Sequence, residues 1–418
     1  MFVNLKGILQ NLKRYTHLFE ERLNFYHSVD FQEVEYINHK KISKLLSNNY
    51  FWKNHKFKEI PIINKQFAID NWNEIYNSKE KVEVLNTSGT TGQGLVYPVS
   101  GEFLANQWAV FWKFRNIHGL TKDSWCAYIS GVQLFANNEN RSRYGLKSYS
   151  TKQVIFSQFN LSPLTVLSFI NQIKINNKIK WLHGYPSTLK YFADLIEENG
   201  LIDSVKSLKL EIITTSSEML FAFQKDKIEH VFGCKVRQLY GLTEGVVNIF
   251  ECEMDSLHID ESYSYTELIS TSIENQYRII GTSYSNSAFP LFRYDTGDIA
   301  IVKNINSKCL CGRNSRTIDQ VLGREEDYLI LSDGRKIGRL DHLFKGMQTI
   351  KEAQIYQKIK GSAIIRIVKS NSFTMMDENR LKESIKEKLG NEFHYKLEYL
   401  DKIKRTSTGK VKFVISKL

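Results

Sequence analysis

Hydrophobic and polar residues follow two different periods along this chain. Phe19, Leu23 and Tyr26 recur at helical spacing near the N-terminus, and the aromatic residues of 102–117 fit a buried helix. Further along, short apolar runs that indicate strands alternate with helical patterns. The predicted strands are 179–183, 211–216 and 235–240, with a helix over 188–198 and a helix start at 217–218. Such alternation is typical of parallel sheets, so we predict an α/β protein with parallel-rich sheets.

The end of the chain shows a pattern of its own. A strand at 364–368, a helix at 378–389 and a strand at 396–400 are enough for a small, separately folded α+β domain. The longer part before it would form the main αβ domain.

Residues 86–94 interrupt the apolar pattern with the sequence Asn-Thr-Ser-Gly-Thr-Thr-Gly-Gln-Gly. Strand patterns flank this stretch at 81–85 and 95–99. Glycines let backbone N–H groups turn inward, and hydroxyls add donors, so the stretch suits the phosphates of a nucleotide. The Walker motif is absent, because Leu95 and Val96 stand where it needs lysine and serine or threonine. A hairpin turn rich in serine and glycine is the alternative interpretation.

Five motifs occur in a fixed order from the Gly-rich stretch to the end of the chain. They are Thr87–Gly92, Tyr240–Glu244, Arg293–Asp298, Gly323–Asp327 and Thr406–Lys410. In this order they resemble the adenylate-forming enzymes, which include acyl-CoA synthetases, nonribosomal adenylation domains and luciferases. The Pro61–Lys65 segment is similar to one in the phenylacetate–CoA ligase and capsule-polysaccharide branch. The resemblance implies an N-terminal domain of residues 1–325, a mobile C-terminal domain of residues 326–418, and a hinge near Glu326.

The resemblance also implies a role for individual residues in binding ATP and Mg²⁺. The β- and γ-phosphates would be held by Thr87, Ser88, Gly89, Thr90, Thr91 and Gly92. The adenosine and α-phosphate would contact Ser216, Ser217, Glu218, Tyr240, Gly241, Thr243, Asp298 and Arg324. Glu244 would bind Mg²⁺ and Lys410 would act as the catalytic lysine of adenylate formation.

Each of these motifs also has an ordinary structural interpretation. The Tyr240–Glu244 motif could be a strand-to-helix turn with Thr243 as the N-cap. Asp298 could belong to a β-hairpin turn, and Lys410 could be a solvated surface lysine. The order of all five motifs favours the nucleotide site.

Three of the five cysteines and one histidine fall into a pattern that suits tetrahedral zinc. Cys252 is followed by His258, and Cys309 stands two residues before Cys311. The run 309–313 resembles the Cys-x-Cys-Gly-Arg element of the phenylacetate–CoA ligase branch, some members of which hold structural zinc. Reduced cysteines near a turn, with His258 on the surface, are the alternative.

Composition places few limits on this interpretation. The hydrophobic fraction of 42% and the charged fraction of 24% are typical of globular proteins. The net charge of +12 comes from scattered Lys and Arg, so the sequence predicts no continuous basic surface for binding nucleic acid. The sequence has no apolar run of about 18 residues, which a membrane helix requires. Five cysteines without a secretion signal indicate the reducing cytoplasm.

The expected activity is the ATP-dependent activation of a carboxylic acid as an acyl-adenylate. The acyl group would pass to CoA, to an amine on a sugar, or to a protein thiol. The acid pocket is expected around Trp125–Gly131, His183–Pro186 and Thr214–Ser216. A catalytically idle protein that binds or assembles others in polysaccharide synthesis is the hypothesis from another class. The acid, the acceptor and the oligomeric state are left open.

Overall fold

A computed structural model describes residues 11–418 with short gaps. The gaps are 12–13, 30, 78, 80–81, 87–94, 132–133, 135–143, 305–307, 325–328, 333–335, 338–339, 345–346, 348 and 407–410. For residues 31–33, 35, 86, 324, 336, 341 and 342, the structure describes the backbone but not the side chains. The chain falls into two compact units. The first unit comprises Met1–Asp123 and Arg237–Arg324, and the second comprises Ser124–Val236 and Glu325–Leu418.

Helices predominate before residue 75, helices and strands alternate between residues 101 and 241, and mainly strands follow up to residue 369. The α-helices are α1 (His17–Ser28), α2 (Phe31–Asn48), α3 (Lys65–Asp70), α4 (Trp72–Ile75), α5 (Gly101–Ile117), α6 (Val166–Ile175), α7 (Pro186–Glu198), α8 (Ile202–Lys206), α9 (Ala222–Phe232) and α10 (Met375–Leu389). The strands before residue 300 are β1 (Val82–Asn86), β2 (Val96–Ser100), β3 (Trp125–Ser130), β4 (Leu146–Ser148), β5 (Gln153–Ser157), β6 (Ile179–Gly184), β7 (Ile212–Ser216), β8 (Lys235–Gly241), β9 (Asn248–Glu251), β10 (Leu257–Ile259), β11 (Ser264–Ser270), β12 (Gln276–Ser283) and β13 (Tyr294–Ile301). The later strands are β14 (Thr317–Ile318), β15 (Gln320–Arg324), β16 (Leu329–Ile330), β17 (Lys336–Ile337), β18 (Ile350–Ile359), β19 (Ser362–Lys369), β20 (His394–Tyr399) and β21 (Val414–Ser416).

The first unit is built from antiparallel strands and the N-terminal helices. Strands β11, β12, β13 and β15 form a four-stranded antiparallel sheet, and β9 pairs antiparallel with both β8 and β10. Helix α1 buries Phe19, Leu23 and Tyr26 in a cluster with Ala109 and Trp112 of α5. The two strands predicted on either side of the Gly-rich stretch are present as β1 and β2, and they pair antiparallel.

A parallel sheet lies at the centre of the first half of the second unit. Strands β7, β6, β3 and β5 are parallel neighbours in that order, and β4 adds an antiparallel edge. Its strands and helices share one apolar core that includes Phe169, Phe192 and Phe232. This confirms the predicted α/β class with a parallel-rich sheet.

The C-terminal part of the second unit has a core of its own. Strands β20, β19, β18 and β21 form a four-stranded mixed sheet. Ile355, Ile365, Leu381 and Ile385 are fully buried between this sheet and helix α10. The small C-terminal domain expected from the sequence is therefore present, whereas its exact boundary at residues 325 and 326 stays a prediction.

Two local predictions differ from the structure. The predicted helix start at 217–218 is wrong, because Ser217 has a left-handed φ of 70° and helix α9 begins only at Ala222. The strand-to-helix alternative for the Tyr240–Glu244 motif is also wrong, since strand β9 follows this turn. Among the described helices, none has both the length and the apolarity needed to cross a bilayer.

Candidate functional site

Two of the sequence motifs meet inside the first unit. Tyr240 lies on β8 and Asp298 lies on β13, and the Tyr240 hydroxyl donates a 2.6 Å hydrogen bond to Asp298 Oδ2. Asp298 is buried, with 8% of its surface exposed. A hydroxyl-to-carboxylate bond of this length is charge-assisted and strong. The fold therefore brings an aromatic ring and a carboxylate together, as a site for adenine and ribose requires.

Glu244 is held at the turn between β8 and β9 by two tyrosines from other strands. The Tyr97 hydroxyl, on β2, donates to the main-chain oxygen of Glu244 at 2.8 Å. Tyr294, on β13, places its hydroxyl 3.4 Å from Glu244 Oε1. Burial raises the pKa of Tyr97 well above its ordinary value, so this hydroxyl stays protonated and keeps donating. Strand β2 therefore connects the C-terminal side of the Gly-rich stretch to the main chain of the residue predicted to bind Mg²⁺.

Gly245 fixes the shape of the turn that carries Thr243 and Glu244. Its φ is +59°, and a Cβ at this position would lie 2.3 Å from the Phe103 ring. Only glycine satisfies both conditions. Thr243 is half-buried in the same turn. The spacing of these residues from Tyr240 is thus set by a backbone that tolerates no side chain at residue 245.

The Arg293–Asp298 motif is braced at both of its ends. Arg293 has a left-handed φ of 48°, and its guanidinium makes a paired contact with Glu267 at 3.0 and 3.1 Å. At the other end, the Asp298 N–H donates to Thr296 Oγ1 at 3.0 Å. Arg324 is the cross-strand partner of Asp298 in the β13–β15 register. Because its side chain lies outside the description, its contact with ribose or phosphate stays a prediction.

The Ser216–Glu218 segment belongs to the second unit, where the Glu218 side chain accepts main-chain hydrogen bonds. Ser216 ends β7, and Glu218 directs its carboxylate to two main-chain N–H groups. These are Ser187, at 3.1 Å from Oε2, and Val411, at 3.0 Å from Oε1. Burial raises the pKa of Glu218, although both hydrogen bonds oppose the shift. The adenine contact predicted for the backbone here stays a prediction.

Several predicted residues lie outside the described part of the chain. These are Thr87, Ser88, Gly89, Thr90, Thr91, Gly92, the hinge residue Glu326 and Lys410. Their assigned roles therefore stay predictions. What the structure does describe is the hairpin on either side of the Gly-rich stretch, in which Asn86 pairs with Val96.

The stretches predicted to line an acid pocket lie at the carboxyl ends of parallel strands in the second unit. His183 on β6 hydrogen-bonds through Nδ1 to Thr214 Oγ1 on β7, at 2.8 Å. The ring of Tyr128, on β3, lies 5.4 Å from the imidazole, centroid to centroid. In open α/β sheets, ligands bind beyond the carboxyl ends of the strands. These three side chains are thus grouped where a substrate pocket is expected.

The predicted metal ligands converge in the first unit. One ligand atom from each of Cys252, His258, Cys309 and Cys311 lies within 4.8 Å of every other. The sulfurs of Cys252 and Cys309 are 3.7 Å apart, too far for a disulfide and close to the ~3.8 Å edge of a tetrahedron with Zn–S bonds of ~2.3 Å. The donor set and its spacing therefore fit tetrahedral zinc.

The surroundings of these four residues also suit a metal. His258 Nδ1 lies 2.9 Å from Ser315 Oγ, which leaves Nε2 to face Cys311 Sγ at 3.3 Å. Burial lowers the pKa of His258, which favours the neutral, ligating imidazole. The N–H of Met254 points to Cys252 Sγ at 3.3 Å. Cys252 and His258 bracket the β9–β10 turn, so a shared ion would join this turn to the segment before β14.

Comparison with known proteins finds similarity to one described family and to two curated proteins. The family described as the CapK C-terminal domain matches residues 329–417. Protein CapK of Staphylococcus aureus is 22% identical over 448 residues, with 100% of this chain and 96% of that protein covered. The chain is thus similar to CapK over its whole length, and its C-terminal part matches the CapK C-terminal domain family. Phenylacetate-coenzyme A ligase of Thermus thermophilus is 27% identical over 156 residues, which cover 35% of this chain and 34% of that ligase.

Solved structures confirm the fold of the CapK-like chain. A 2-hydroxyisobutyryl-CoA ligase in its postadenylation state, in complex with 2-HIB-AMP, superposes with a TM-score of 0.66 at 16% identity, over 99% of this chain and 89% of its own. An anthranilate CoA ligase in complex with anthranoyl-AMP gives a TM-score of 0.56 at 14% identity, over 79% and 66% of the two chains. The fold that the five-motif resemblance implies is therefore confirmed.

Sequence reasoning missed several residues that shape the site. Tyr97 was only part of a predicted strand, and Gly245 was not singled out although it follows the Tyr240–Glu244 motif directly. Ser315, which orients His258, was missed as well. Only Gly245 carried a sequence signal, because a glycine directly after a functional turn indicates a left-handed backbone.

Proposed function

We propose that this protein activates a carboxylic acid with ATP and then transfers the acyl group to CoA or another acceptor. In the first step, a carboxylate oxygen bonds to the α-phosphorus of ATP while the bond to the pyrophosphate oxygen breaks. In the second step, a thiol or amine attacks the acyl carbon and AMP leaves. The single observation that carries the proposal is the contact of Tyr240 with Asp298 beside the Glu244 turn.

Each of these residues has a role in bringing two anions together. Tyr240 offers its ring to adenine, and Asp298 accepts hydrogen bonds from the ribose hydroxyls, which fixes the α-phosphorus relative to the acid. Glu244 supplies a buried carboxylate oxygen of the hard kind that Mg²⁺ prefers. Bound Mg²⁺ would neutralise charge on the phosphates. The hydroxyls of 87–92 donate to the leaving pyrophosphate, and Lys410 neutralises charge developing during adenylate formation.

CoA is the first candidate acceptor. The structural relatives are CoA ligases that were solved with acyl-adenylates, one of them also with CoA, which supports this reaction type. An amine acceptor in polysaccharide synthesis is the second candidate. It is favoured because the Pro61–Lys65 segment resembles the capsule-polysaccharide branch and protein CapK matches 100% of this chain, whereas the phenylacetate-coenzyme A ligase match spans 35% of the chain.

The test is acid-dependent exchange of labelled pyrophosphate into ATP, followed by hydroxamate trapping across aryl, fatty, hydroxy and amino acids. Substitution of Asp298 by Asn should lower kcat/KM for ATP by about 10- to 100-fold, because a charge-assisted hydrogen bond contributes about 1.5–3 kcal/mol. Asp226→Asn, at an exposed position on α9, is the matched control and should leave exchange unchanged. A folded protein that exchanges pyrophosphate with none of these acids would instead be the idle binding protein.

In the same proposal, Cys252, His258, Cys309 and Cys311 hold a structural zinc ion in the reducing cytoplasm. Four protein ligands fill a tetrahedron, so no position remains for substrate and the ion stabilises the fold. Purified protein should contain about one zinc per chain. Cys311→Ser should lose the zinc and melt at a lower temperature, whereas Cys234→Ser, outside the cluster, should keep it. Metal analysis that finds no zinc in wild-type protein would remove this part of the proposal.

A further inference from the structure

The C-terminal part of the second unit contacts helix α7 mainly through polar groups. The Lys190 ammonium, on α7, donates to the main-chain oxygen of Ile350 at 2.8 Å. Lys351 pairs with Glu198 at the end of the helix, at 2.7 Å. The described apolar residues form separate cores on the two sides, apart from a contact between the rings of Phe221 and Phe413. The contact is thus specified by individual hydrogen bonds rather than by a shared core.

The densest group of these hydrogen bonds lies at the start of α7. Arg405 donates to Ser187 Oγ at 3.1 Å and pairs with Glu352 at 2.6 Å. The second oxygen of Glu352 accepts the N–H of Ile403 at 2.9 Å. Arg405 and Glu352 both retain only 7% side-chain exposure. The main chain at 403–405 is therefore fixed to the beginning of α7.

Glu218 adds a second point of attachment, further along the same segment. One of its oxygens accepts the N–H of Ser187 in the first turn of α7, where unpaired N–H groups and the helix dipole favour a carboxylate. That bond alone would explain an ordinary helix cap. The other oxygen accepts the N–H of Val411, 193 residues away in sequence. A glutamine at this position would offer one acceptor oxygen for these two donors.

We propose that Glu218 is a positioning residue for acyl-adenylate formation, because it fixes the main chain at Val411, the neighbour of Lys410 in the sequence. The inference rests on the proposed function, in which Lys410 neutralises charge in the first step. Adjacent Cα atoms are about 3.8 Å apart, so loss of the anchor at Val411 would be transmitted to the adjacent residue along the chain. Misplacement of a catalytic group by about 1 Å can cost about 100-fold in rate.

The proposal separates the two half-reactions. Glu218→Gln should slow acid-dependent pyrophosphate exchange by about 10- to 100-fold, while transfer from supplied acyl-adenylate to the acceptor stays within about twofold of wild type. Hydrogen–deuterium exchange of the peptide that contains Val411 should become faster. Glu211→Gln is the matched control, because Glu211 is exposed and pairs with Lys180 in the same unit. Equal slowing of both half-reactions, or unchanged protection of Val411, would overturn the proposal.

A second set of variants distinguishes this inference from the proposed function itself. If Glu218 acts through Lys410, the effect of Glu218→Gln on exchange should disappear in a Lys410→Ala background. If Glu218→Gln slows pyrophosphate exchange just as strongly in the Lys410→Ala protein, the positioning role of Glu218 is overturned. A Lys410→Ala variant that exchanges pyrophosphate at the wild-type rate would refute the proposed role of the lysine. Hydrogen–deuterium exchange at Val411 in the Glu218→Gln variant would still decide whether Glu218 holds this segment. Glu218→Asp keeps the charge but falls one methylene short, so it should reproduce the pattern if the Gln variant fails to fold.

Discussion

Substitution of Lys190 by Met tests how the polar contact of helix α7 contributes to stability. Lys190 and Asp194 lie one helical turn apart, with 1% and 5% side-chain exposure, and their charged atoms are 2.9 Å apart. The ammonium also donates to Ile350 O at 2.8 Å. Methionine keeps most of the side-chain volume but removes every donor. The change leaves a buried carboxylate and a main-chain oxygen without this partner.

The expected loss is large because a buried charge has no water to replace its partner. Breaking a buried ion pair costs about 3–5 kcal/mol, a sizeable fraction of the roughly 5–15 kcal/mol that stabilises a domain. For a unit of about 200 residues, 1 kcal/mol corresponds to a shift of about 2–4 °C in melting temperature. The Lys190→Met variant should therefore melt roughly 6–20 °C below wild type.

A double-mutant cycle with Asp194→Leu, followed by thermal and urea unfolding, separates the pair from its surroundings. Each single variant should be strongly destabilised, whereas the double variant should recover about 1–4 kcal/mol relative to the sum, since no uncompensated charge remains. The exposed pair of Lys180 and Glu211 is the control, and its removal should cost less than about 1 kcal/mol. Losses below about 1 kcal/mol for Lys190→Met, or simple additivity in the cycle, would refute the reasoning.

Three further predictions concern a titrating group and two backbone positions. Burial raises the pKa of Asp194 to about 6, although Lys190 opposes the shift. Between about pH 4 and pH 6, the folded state therefore holds a proton on Asp194 that the unfolded state has released. Stability should therefore fall as pH rises from about 4 to about 6, and a pH series of urea midpoints should lose this slope in Asp194→Asn. Ser217→Gly should raise the free energy of unfolding by about 0.5–1 kcal/mol, and with it the melting temperature, because Ser217 has a φ of 70°. An unchanged or lower melting temperature would contradict this. Gly245→Ala should cost about 2–4 kcal/mol and abolish pyrophosphate exchange, since its Cβ would lie 2.3 Å from Phe103. Gly119→Ala, with a similar φ of +76° but open space around it, should cost only about 1–2 kcal/mol and leave exchange intact.

The parts of the structure that the sequence predicted are those that local patterns specify. The patterns on either side of the Gly-rich stretch predicted strands β1 and β2, and the spacing of Phe19, Leu23 and Tyr26 predicted helix α1. The four zinc-type ligands were also identified from residue type and spacing, and the structure brings them together.

Long-range hydrogen bonds explain most of what could not be predicted. The bond from Tyr97 to Glu244 joins residues 147 positions apart, and no period in the sequence marks either partner for the other. The helix predicted at 217–218 failed for a local reason, since a left-handed Ser217 interrupts a stretch whose residues otherwise suit a helix start. Glu218 therefore appeared to belong to a helix, whereas it connects Ser187 with Val411.

The charged composition of the α7 contact also bears on solubility. Water that reached Lys190, Asp194 and Glu198 would hydrate groups whose burial is costly, so part of the free energy lost on separation would be recovered as hydration. When it is solvated, a surface of this kind exposes no large apolar patch to neighbouring molecules. If the C-terminal domain moves as the resemblance implies, opening this contact would expose charged groups and not an apolar surface prone to aggregation.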